Sequence, residues 1–268
     1  MRTINQTYQD AYRSKKRRKF AAIVAVYLAI FGAIVVGVFY ALFFSQLMAV
    51  TDIAIEQKSF ISNEQIQKTI DEYLEEKTFF IKRSNNIFLP NKEKLALLLA
   101  ERFPVLKDIQ VKKDHSHKLI VQASHREGVG IWCFKKQNAC FYFDQEGVIF
   151  DHATESSGTL FLMVEDYVSS SGALGQLVTN TEQFSWMMGL QKEMTKAKVG
   201  LAKAIIPEEL FRVNVKTTEG WEIYLSTNEP LSPQIKALSI FLANKVSMEQ
   251  RSLLQYVDAR IPNRIYFK

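Results

Sequence analysis

Catalytic signatures are missing from this 268-residue sequence. It has no Gly-x-Ser-x-Gly, no His-Glu-x-x-His, no Ser-x-x-Lys and no phosphate-binding glycine loop. Only four histidines occur, and the closest two, His115 and His117, lie among Lys and Asp residues typical of a solvated turn. The acidic pairs Glu165-Asp166 and Glu208-Glu209 would point to opposite faces of a strand, which does not favour an acid–base dyad. We therefore expect no enzyme, no cofactor and no metal.

Charged side chains are absent from residues 20–50, directly after the basic cluster Lys15–Lys19. About 20 apolar residues cross the hydrocarbon core of a bilayer. We therefore predict a basic tail over 1–19, a transmembrane helix over 20–44 and a short stem over 45–50. A cleaved signal peptide would have an apolar core of only about 7–15 residues and a small-x-small cleavage site, and neither fits.

The distribution of charge predicts the orientation of this helix. The first 19 residues hold seven basic side chains and one acidic one, which leaves 27 of each sign in the other 249 residues. Positive flanks stay cytoplasmic, so we expect a single-pass protein of the cell (inner or plasma) membrane with residues 51–268 outside the cytoplasm. The sequence pI of about 9.1 thus reflects the tail and does not indicate nucleic-acid binding.

Small side chains recur every four residues along the predicted span and share one slowly drifting face. In lipid, such faces let helix backbones approach closely, which drives association. We predict that this face packs on another membrane helix, the alternative being that apolar helices are simply rich in alanine. The residues are Ala25, Ala29, Ala33, Gly37 and Ala41.

Cysteine is scarce, with Cys133 and Cys140 as the only two. They lie in apolar runs on either side of a turn-forming stretch, and they face each other if Lys136-Gln137 is the tip of a hairpin. Their spacing does not match a zinc knuckle or a redox Cys-x-x-Cys motif. Because we place them in an oxidising compartment, we predict a disulfide. Two buried free thiols are the alternative.

Residues 51–124 alternate between strand-like and helical patterns. Ser62–Gln65 is a capping-box sequence before a helix, Asn91 can cap a second helix, and Pro104 ends that helix. The polar stretch 112–118 then separates two strands with alternating apolar residues. A β-α-α-β-β order of this size matches a POTRA module, a type of domain that binds peptides or neighbouring domains.

Strand patterns dominate residues 125–268. A second turn is predicted at Asp144–Gly147, a helix over 181–196, and a further helix that starts with Ser232 as N-cap and Pro233 at its first position. We expect an α+β fold overall, with a POTRA module over 51–124 and a mixed, mostly antiparallel β-rich domain with flanking helices over 125–268.

Four features then occur in a fixed order along the chain. They are the basic tail with its single apolar span, the segment Phe103–Val111, the segment His125–Trp132 with the hairpin Asp144–Phe150, and Tyr256–Arg260. Together they resemble the FtsQ/DivIB family of cell-division proteins. In that family a proline precedes an isoleucine–valine strand, an Arg-Glu-Pro-Val-Ala-x-Trp turn leads to an Asp-x-x-Gly-Val hairpin, and a Val-Asp-Leu-Arg-Tyr stretch leads into the final strand.

The chain departs from the family pattern at several positions. The loop Gln57–Phe60 lacks the usual glycine, and residues 112–118 lack the common Trp-Pro. Gly128 stands where proline is usual, and Ala259 and Ile261 replace Leu and Tyr. These differences bear on partner specificity more than on the fold.

The resemblance implies a non-enzymatic, bitopic scaffold at the division septum. Its partners would be FtsL/FtsB(DivIC)-like single-pass coiled-coil proteins and other divisome membrane proteins, and its effect would be on septal peptidoglycan synthesis. A strand over Ile265–Phe267 that forms a sheet edge would favour this role, because unpaired backbone groups can accept a partner strand. An ordinary capped edge is the alternative. By position, the partner-binding residues are Arg260, Ile261, Asn263, Ile265, Tyr266 and Phe267.

A second interpretation shares the anchor and the β-rich domain. A membrane-anchored, POTRA-like component of a secretion or pilus assembly platform would show the same sequence features. Dependence of division, rather than of export, on the protein would separate the two.

Overall fold

A computed structural model describes residues 4–43, 48–57, 61–78, 81–114, 116–154 and 161–268. They form an α+β protein with an apolar N-terminal helix and a large mixed sheet, as the sequence predicts. In chain order the elements are α1 (Ile4–Phe43), β1 (Asp52–Gln57), α2 (Asn63–Glu75), β2 (Lys77–Thr78), β3 (Ile81–Lys82), α3 (Lys92–Arg102), β4 (Leu106–Lys113), β5 (Lys118–His125), β6 (Gly130–Phe134), β7 (Ala139–Phe143), β8 (Ile149–Ala153), β9 (Leu162–Asp166), α4 (Thr181–Lys196), β10 (Leu201–Ile206), β11 (Arg212–Thr217), β12 (Glu222–Ser226), α5 (Leu231–Lys245), α6 (Met248–Arg251), β13 (Tyr256–Asp258) and β14 (Tyr266–Phe267).

Helix α1 is longer than the predicted span. Its segment Arg17–Ala41 is long and apolar enough to cross a membrane. The helix also continues back through the basic tail to Ile4, whereas the charge pattern predicts only a basic segment there. Lys and Arg are good helix formers, and no glycine or proline occurs before Gly32. Residues 44–47, which include the end of the predicted span and part of the stem, lie outside the described residues.

Two compact units make up the chain. One contains Met1–Leu97 and Gln110–Gln122, and the other contains Leu98–Ile109 and Ala123–Lys268. This division runs through α3 and β4, whereas the domain boundary expected from the sequence is a single point at residues 124–125.

In the first unit, two predicted helix caps are present. Ser62 Oγ accepts a hydrogen bond from the backbone N–H of Gln65 at 3.3 Å, and Asn91 Oδ1 accepts one from Lys94 N–H at 2.9 Å. The hydroxyl of Tyr73 on α2 donates to Asn91 C=O at 3.2 Å and accepts from Asn91 N–H at 3.0 Å. These bonds join α2 to the start of α3. The strands β1, β5 and β4 form a three-stranded sheet in that order.

The nine-stranded sheet has the order β14-β13-β12-β11-β10-β9-β6-β7-β8. Three neighbouring pairs are parallel, namely β6 with β9, β9 with β10, and β12 with β13. The other five pairs are antiparallel, so the sheet is mixed and mostly antiparallel.

Helices α4 and α5 cover one face of this sheet. Side chains such as Trp132, Trp221 and Leu238 are buried between the helices and the strands in a single large core. Alternate side chains of β6 and β7 point to the other face, where Cys133 and Cys140 belong to a small separate cluster. The two faces of the sheet are therefore covered to different extents.

The predicted turn at Asp144–Gly147 is held by a carboxylate. Asp144 Oδ1 accepts hydrogen bonds from the backbone N–H groups of Glu146 at 2.9 Å and Val148 at 3.0 Å. Gly147 has a φ of 80°, which suits glycine because it lacks a Cβ atom. Arg126 forms an ion pair with the same carboxylate.

The predicted start of α5 at Ser232 is wrong. The helix begins at Leu231, with Pro230 at its N-cap position and no side-chain cap. The buried side chain of Gln234 takes over this task, because its Nε2 donates to the carbonyls of Ser226, Glu229 and Pro230. Its Oε1 accepts from Ser226 N–H at 2.8 Å. A glutamine three residues further along therefore fixes the helix start.

Candidate functional site

Strand β14 lies at one edge of the nine-stranded sheet. Among the described residues it pairs only with β13, where Phe267 lies opposite Val257 and Tyr266 lies opposite Asp258. An edge strand presents backbone N–H and C=O groups on its free side. The partner-binding residues expected from the sequence lie on this strand and on the loop that leads into it.

The register shows which backbone groups point outward. Lys268 N–H donates to Tyr256 C=O at 3.1 Å, and Tyr256 N–H donates to Lys268 C=O at 3.3 Å. These two residues therefore form a hydrogen-bonded pair. Since such pairs alternate along an antiparallel ladder, Phe267 and Val257 form a non-hydrogen-bonded pair. The N–H and C=O of Phe267 thus point away from β13, towards the open edge.

Large apolar side chains are exposed on both faces of β14. Phe267 packs on Phe241 of α5 with ring centroids 4.8 Å apart, and Ile265 is half-buried against the main core. Phe267, Tyr266 and Ile261 are each about half exposed, at 56%, 49% and 47%. The edge therefore combines an apolar contact with a helix and large exposed side chains.

A tight turn directs β14 back along β13. Arg264 N–H donates to Ile261 C=O at 3.1 Å, and the intervening Asn263 has a φ of 61°. Pro262 precedes Asn263, and this combination suits a type II turn, in which proline takes the second position and a residue with positive φ the third. Asparagine tolerates the left-handed region better than most residues. Asn263 is thus placed where it shapes the edge.

Arg260 is committed to an ion pair beside this turn. Its Nε and Nη2 lie 2.9 Å and 2.5 Å from the two carboxylate oxygens of Asp258. Burial raises the pKa of Asp258, but the hydrogen bonds and charge of Arg260 outweigh it, so the pKa lies below its ordinary value. The hydrogen bond to Asp258 in turn raises the pKa of Arg260. A partner would meet a guanidinium already held in a fixed orientation.

The structure contains a disulfide between Cys133 and Cys140. The two residues lie opposite each other on β6 and β7, and the four-residue turn between the strands is centred on Lys136-Gln137. Both side chains are buried. The bond therefore joins two neighbouring strands near the β8 edge of the sheet, at the end opposite β14.

The predicted packing face lies on the apolar part of α1. Ala25, Ala29, Ala33 and Gly37 are exposed and Ala41 is half-buried. A Cβ atom added to Gly37 would have no heavy atom within 4 Å apart from its chain neighbours and the nearby backbone of its own helix. Packing of this face on a second helix remains a prediction.

One cavity was not predicted. It lies where β9 and β10 end and is lined by Trp132, Asp166, Trp186 and Phe211, among others. From the sequence, Asp166 is recognisable only as half of the acidic pair Glu165-Asp166. The wall is assembled from strands, loops and helix α4, which are distant in sequence, and no local motif marks it. No group of His, Cys, Asp and Glu suited to a metal occurs in the part of the chain that the structure describes, and His115 lies outside that part.

Similarity to other proteins does not narrow the choice of function. The β14 edge, the apolar helix and the cavity are the features from which a function can be inferred. Comparison with models of known protein families finds no match to this chain, and a search of curated proteins also finds none.

Proposed function

We propose that this protein is a bitopic scaffold of the bacterial divisome, of the FtsQ/DivIB type. In this proposal the edge strand β14 captures a segment of an FtsL/FtsB(DivIC)-like single-pass coiled-coil protein and so influences septal peptidoglycan synthesis. The observation that carries the proposal is the open edge of the nine-stranded sheet, with the backbone groups of Phe267 directed outward.

Strand addition at this edge has a specific geometry. An added strand would exchange hydrogen bonds with the N–H and C=O of Phe267, because these groups face away from β13. Its side chains would alternate between the face of α5, where Phe267 meets Phe241, and the opposite face, which carries Tyr266. An apolar residue is favoured on the α5 face because burial of about 100 Å² of apolar surface contributes roughly 2.5 kcal/mol.

The remaining architecture supports the same role. Residues 52–125 contain β1, α2, α3, β4 and β5 in the order of a POTRA module, with the small β2–β3 hairpin inserted between the helices. Helix α1 provides a membrane anchor, and its basic N-terminal part favours a cytoplasmic location for the tail. A disulfide in the other unit fits an extracytoplasmic compartment.

Crosslinking from the edge tests the proposal. A photoreactive amino acid placed at Tyr266 in the full chain should crosslink to a short single-pass membrane protein in dividing cells, identified by mass spectrometry. The matched control position is Asp151, which is exposed on β8 at the other end of the same sheet. Equal crosslinking from both positions, or none from Tyr266, would contradict capture at β14.

Two variants separate loss of binding from loss of folding. Deletion of 265–268 should abolish retention of the partner, but it also removes the core contacts of Ile265 and Phe267. The double variant Ile261→Asp and Tyr266→Asp changes only exposed side chains and should weaken retention while the protein stays folded and inserted. Full retention by both variants would overturn the proposed binding edge.

Microscopy separates division from secretion. A fluorescent fusion at the N-terminus should form a band at mid-cell that appears with constriction. An even membrane ring or polar foci would favour a secretion or pilus assembly platform instead, for which the same anchor and domains would serve.

A further inference from the structure

The cavity at the ends of β9 and β10 lies apart from the β14 edge. The two strands are parallel, so their carboxyl ends lie side by side, and the cavity opens there with a volume of about 180 Å³. Crevices at the carboxyl ends of parallel strands are common ligand sites. This volume suits one side chain or one small group rather than a large ligand.

A buried carboxylate forms part of the cavity wall. Asp166 is 2% exposed, and its Oδ1 accepts hydrogen bonds from the backbone N–H groups of Val168 at 2.8 Å and Ser169 at 2.9 Å. Its Oδ2 accepts one from Trp132 Nε1 at 3.2 Å. A carboxylate has about four acceptor positions, so Oδ2 has room for one more donor.

The charge of this carboxylate has no described counter-ion. All three donors are neutral, and Asp166 forms no ion pair with any residue that the structure describes. Buried charges are ordinarily paired with an opposite charge or a metal. A cation that enters the cavity would supply the missing charge.

Aromatic rings, further acids and Arg212 complete the surroundings, and the guanidinium of Arg212 is already engaged by Asn214 Oδ1 at 2.7 Å and by the Tyr224 ring. The rings of Trp132, Trp186 and Phe211 line the cavity, and aromatic faces attract cations. Glu208 and Glu209 also line it, and their ion pairs with Lys136 and Arg212 are long, at 3.9 Å and 3.8 Å. Such long, exposed pairs are weak, so both carboxylates remain able to attract a ligand cation.

Two features of the wall cost stability. Trp186 Nε1–H is buried and has no acceptor among the described residues. Phe211 has a φ of 58°, which is unfavourable for a bulky residue, and its carbonyl accepts a hydrogen bond from Thr227 N–H at 3.0 Å that holds this conformation. Strained or unsatisfied groups of this kind cluster at functional sites.

We propose that this cavity binds an organic cation, namely a guanidinium or ammonium group on a narrow apolar stem, with Asp166 as its counter-ion. The group donates to the free position on Asp166 Oδ2, and its stem lies between the aromatic rings. An arginine or lysine side chain of a partner protein and a small free cation share this chemistry. The proposal does not depend on the role of β14.

Indole NMR signals provide the test, because the chain has only three tryptophans. Trp132 and Trp186 line the cavity, whereas Trp221 does not and donates instead to Glu219 at 3.1 Å. The full chain, labelled with ¹⁵N-tryptophan and held in detergent micelles, is titrated with N-acetyl-arginine amide. We expect saturable shifts of the Trp132 and Trp186 signals and an unchanged Trp221 signal.

A neutral probe and three variants sharpen the result. N-acetyl-citrulline amide has nearly the same shape without the charge and should bind at least tenfold more weakly. Gln183→Phe, at an exposed position on the cavity wall, and Asp166→Asn should each weaken binding of the arginine probe at least tenfold. Glu249→Gln changes an exposed acid outside the cavity and should have no effect. The Trp221 signal reports whether each variant remains folded.

Each outcome has a defined meaning. Equal binding of both probes, no saturable shift, or unchanged binding by folded Gln183→Phe would overturn the proposal. Tighter binding of the peptide Ala-Arg-Ala than of the single capped residue identifies a protein segment as the source, whereas equal binding identifies a small free cation.

Discussion

At the scale of single residues, the pairing of Arg260 with Asp258 links the candidate edge to pH. The folded protein holds the pKa of Asp258 below its ordinary value, so the ionised form stabilises the fold. This contribution is fully present above the pKa of the unfolded state and is lost as pH falls through the lower folded-state pKa. Neutral and mildly alkaline conditions therefore keep the loop before β14 in place.

Replacement of Asp258 with Asn tests this link. We expect the variant to be less stable at pH 7 by about 1 kcal/mol, a value reduced by solvent screening because Arg260 is partly exposed. The difference should shrink below about pH 4, where carboxylates of ordinary pKa become protonated. Urea unfolding of the full chain at neutral pH and at the acidic pH measures the difference in the free energy of unfolding between the variant and the natural protein. A constant difference at both pH values would contradict the electrostatic origin, and Asp151→Asn, at an exposed position on β8, serves as the control.

The disulfide makes a second prediction at this scale. The double variant Cys133→Ala and Cys140→Ala should unfold at lower urea concentration, with a loss of about 2–3 kcal/mol for a loop of this length. Non-reducing digestion of the natural protein should yield the two cysteine peptides joined. Free thiols in freshly isolated protein would contradict the bond.

Residues also show how far local sequence determines structure. Ser62 and Asn91 cap helices as predicted, because a cap bonds to groups only two or three residues away. Ser232 does not, because Gln234 bonds back to Ser226 across a loop that local patterns cannot describe. A buried polar side chain with distant partners is thus a feature that the sequence analysis misses.

At the scale of elements, helix α1 has a length of about 60 Å at 1.5 Å per residue, twice the thickness of the hydrocarbon core. Packing of its small-residue face on a membrane helix of another protein remains a prediction. The basic cluster forms part of the same helix as the span. Rotation of the apolar part would therefore also turn the charged part.

Substitution of the small face tests its role. Ala29→Leu, Ala33→Leu and Gly37→Leu together should abolish a membrane-dependent crosslink to the partner helix, because larger side chains keep the backbones apart. The matched control replaces Val35 and Val38 with Leu, which changes other faces of the same helix. Unchanged crosslinking in the first variant would exclude packing through this face.

Elements differ in how well the sequence predicts them. The hairpin β6–β7 was predicted with its register, since the two strands are joined by four residues and their patterns are local. The parallel pairing of β6 with β9 was not, because it joins segments about thirty residues apart in the chain and leaves no local pattern. The cavity depends on that parallel region, which explains why Asp166 and Trp186 were not identified as neighbours.

At the scale of the whole molecule, charge is distributed very unevenly. The first 19 residues account for the entire net charge of +6, and the remaining chain is balanced. A strongly basic flank fixes the orientation of a membrane helix. The predicted location of residues 51–268 therefore depends on a small group of residues in the first 19.

Neutralisation of this cluster tests the orientation. With all five residues of Lys15–Lys19 changed to Gln, we expect a mixture of orientations, detected as partial protection of residues 51–268 from protease added outside spheroplasts. Natural protein should be fully accessible. A control with five exposed lysines of the outer part changed to Gln should keep its orientation, and those residues are Lys92, Lys94, Lys112, Lys236 and Lys245. Unchanged accessibility in the cluster variant would show that other signals set the orientation.

The order of the strands in the large sheet also follows their order along the chain from β9 to β14. After the β6–β7–β8 meander, β9 lies on the free side of β6, and β10, β11, β12, β13 and β14 follow outward in the order in which they occur along the chain. From β9 onward, each strand therefore lies beside a strand that precedes it in the sequence. In the proposed function, a segment captured at β14 would be the next strand in this series, so binding would extend the sheet in the same direction as the chain itself does.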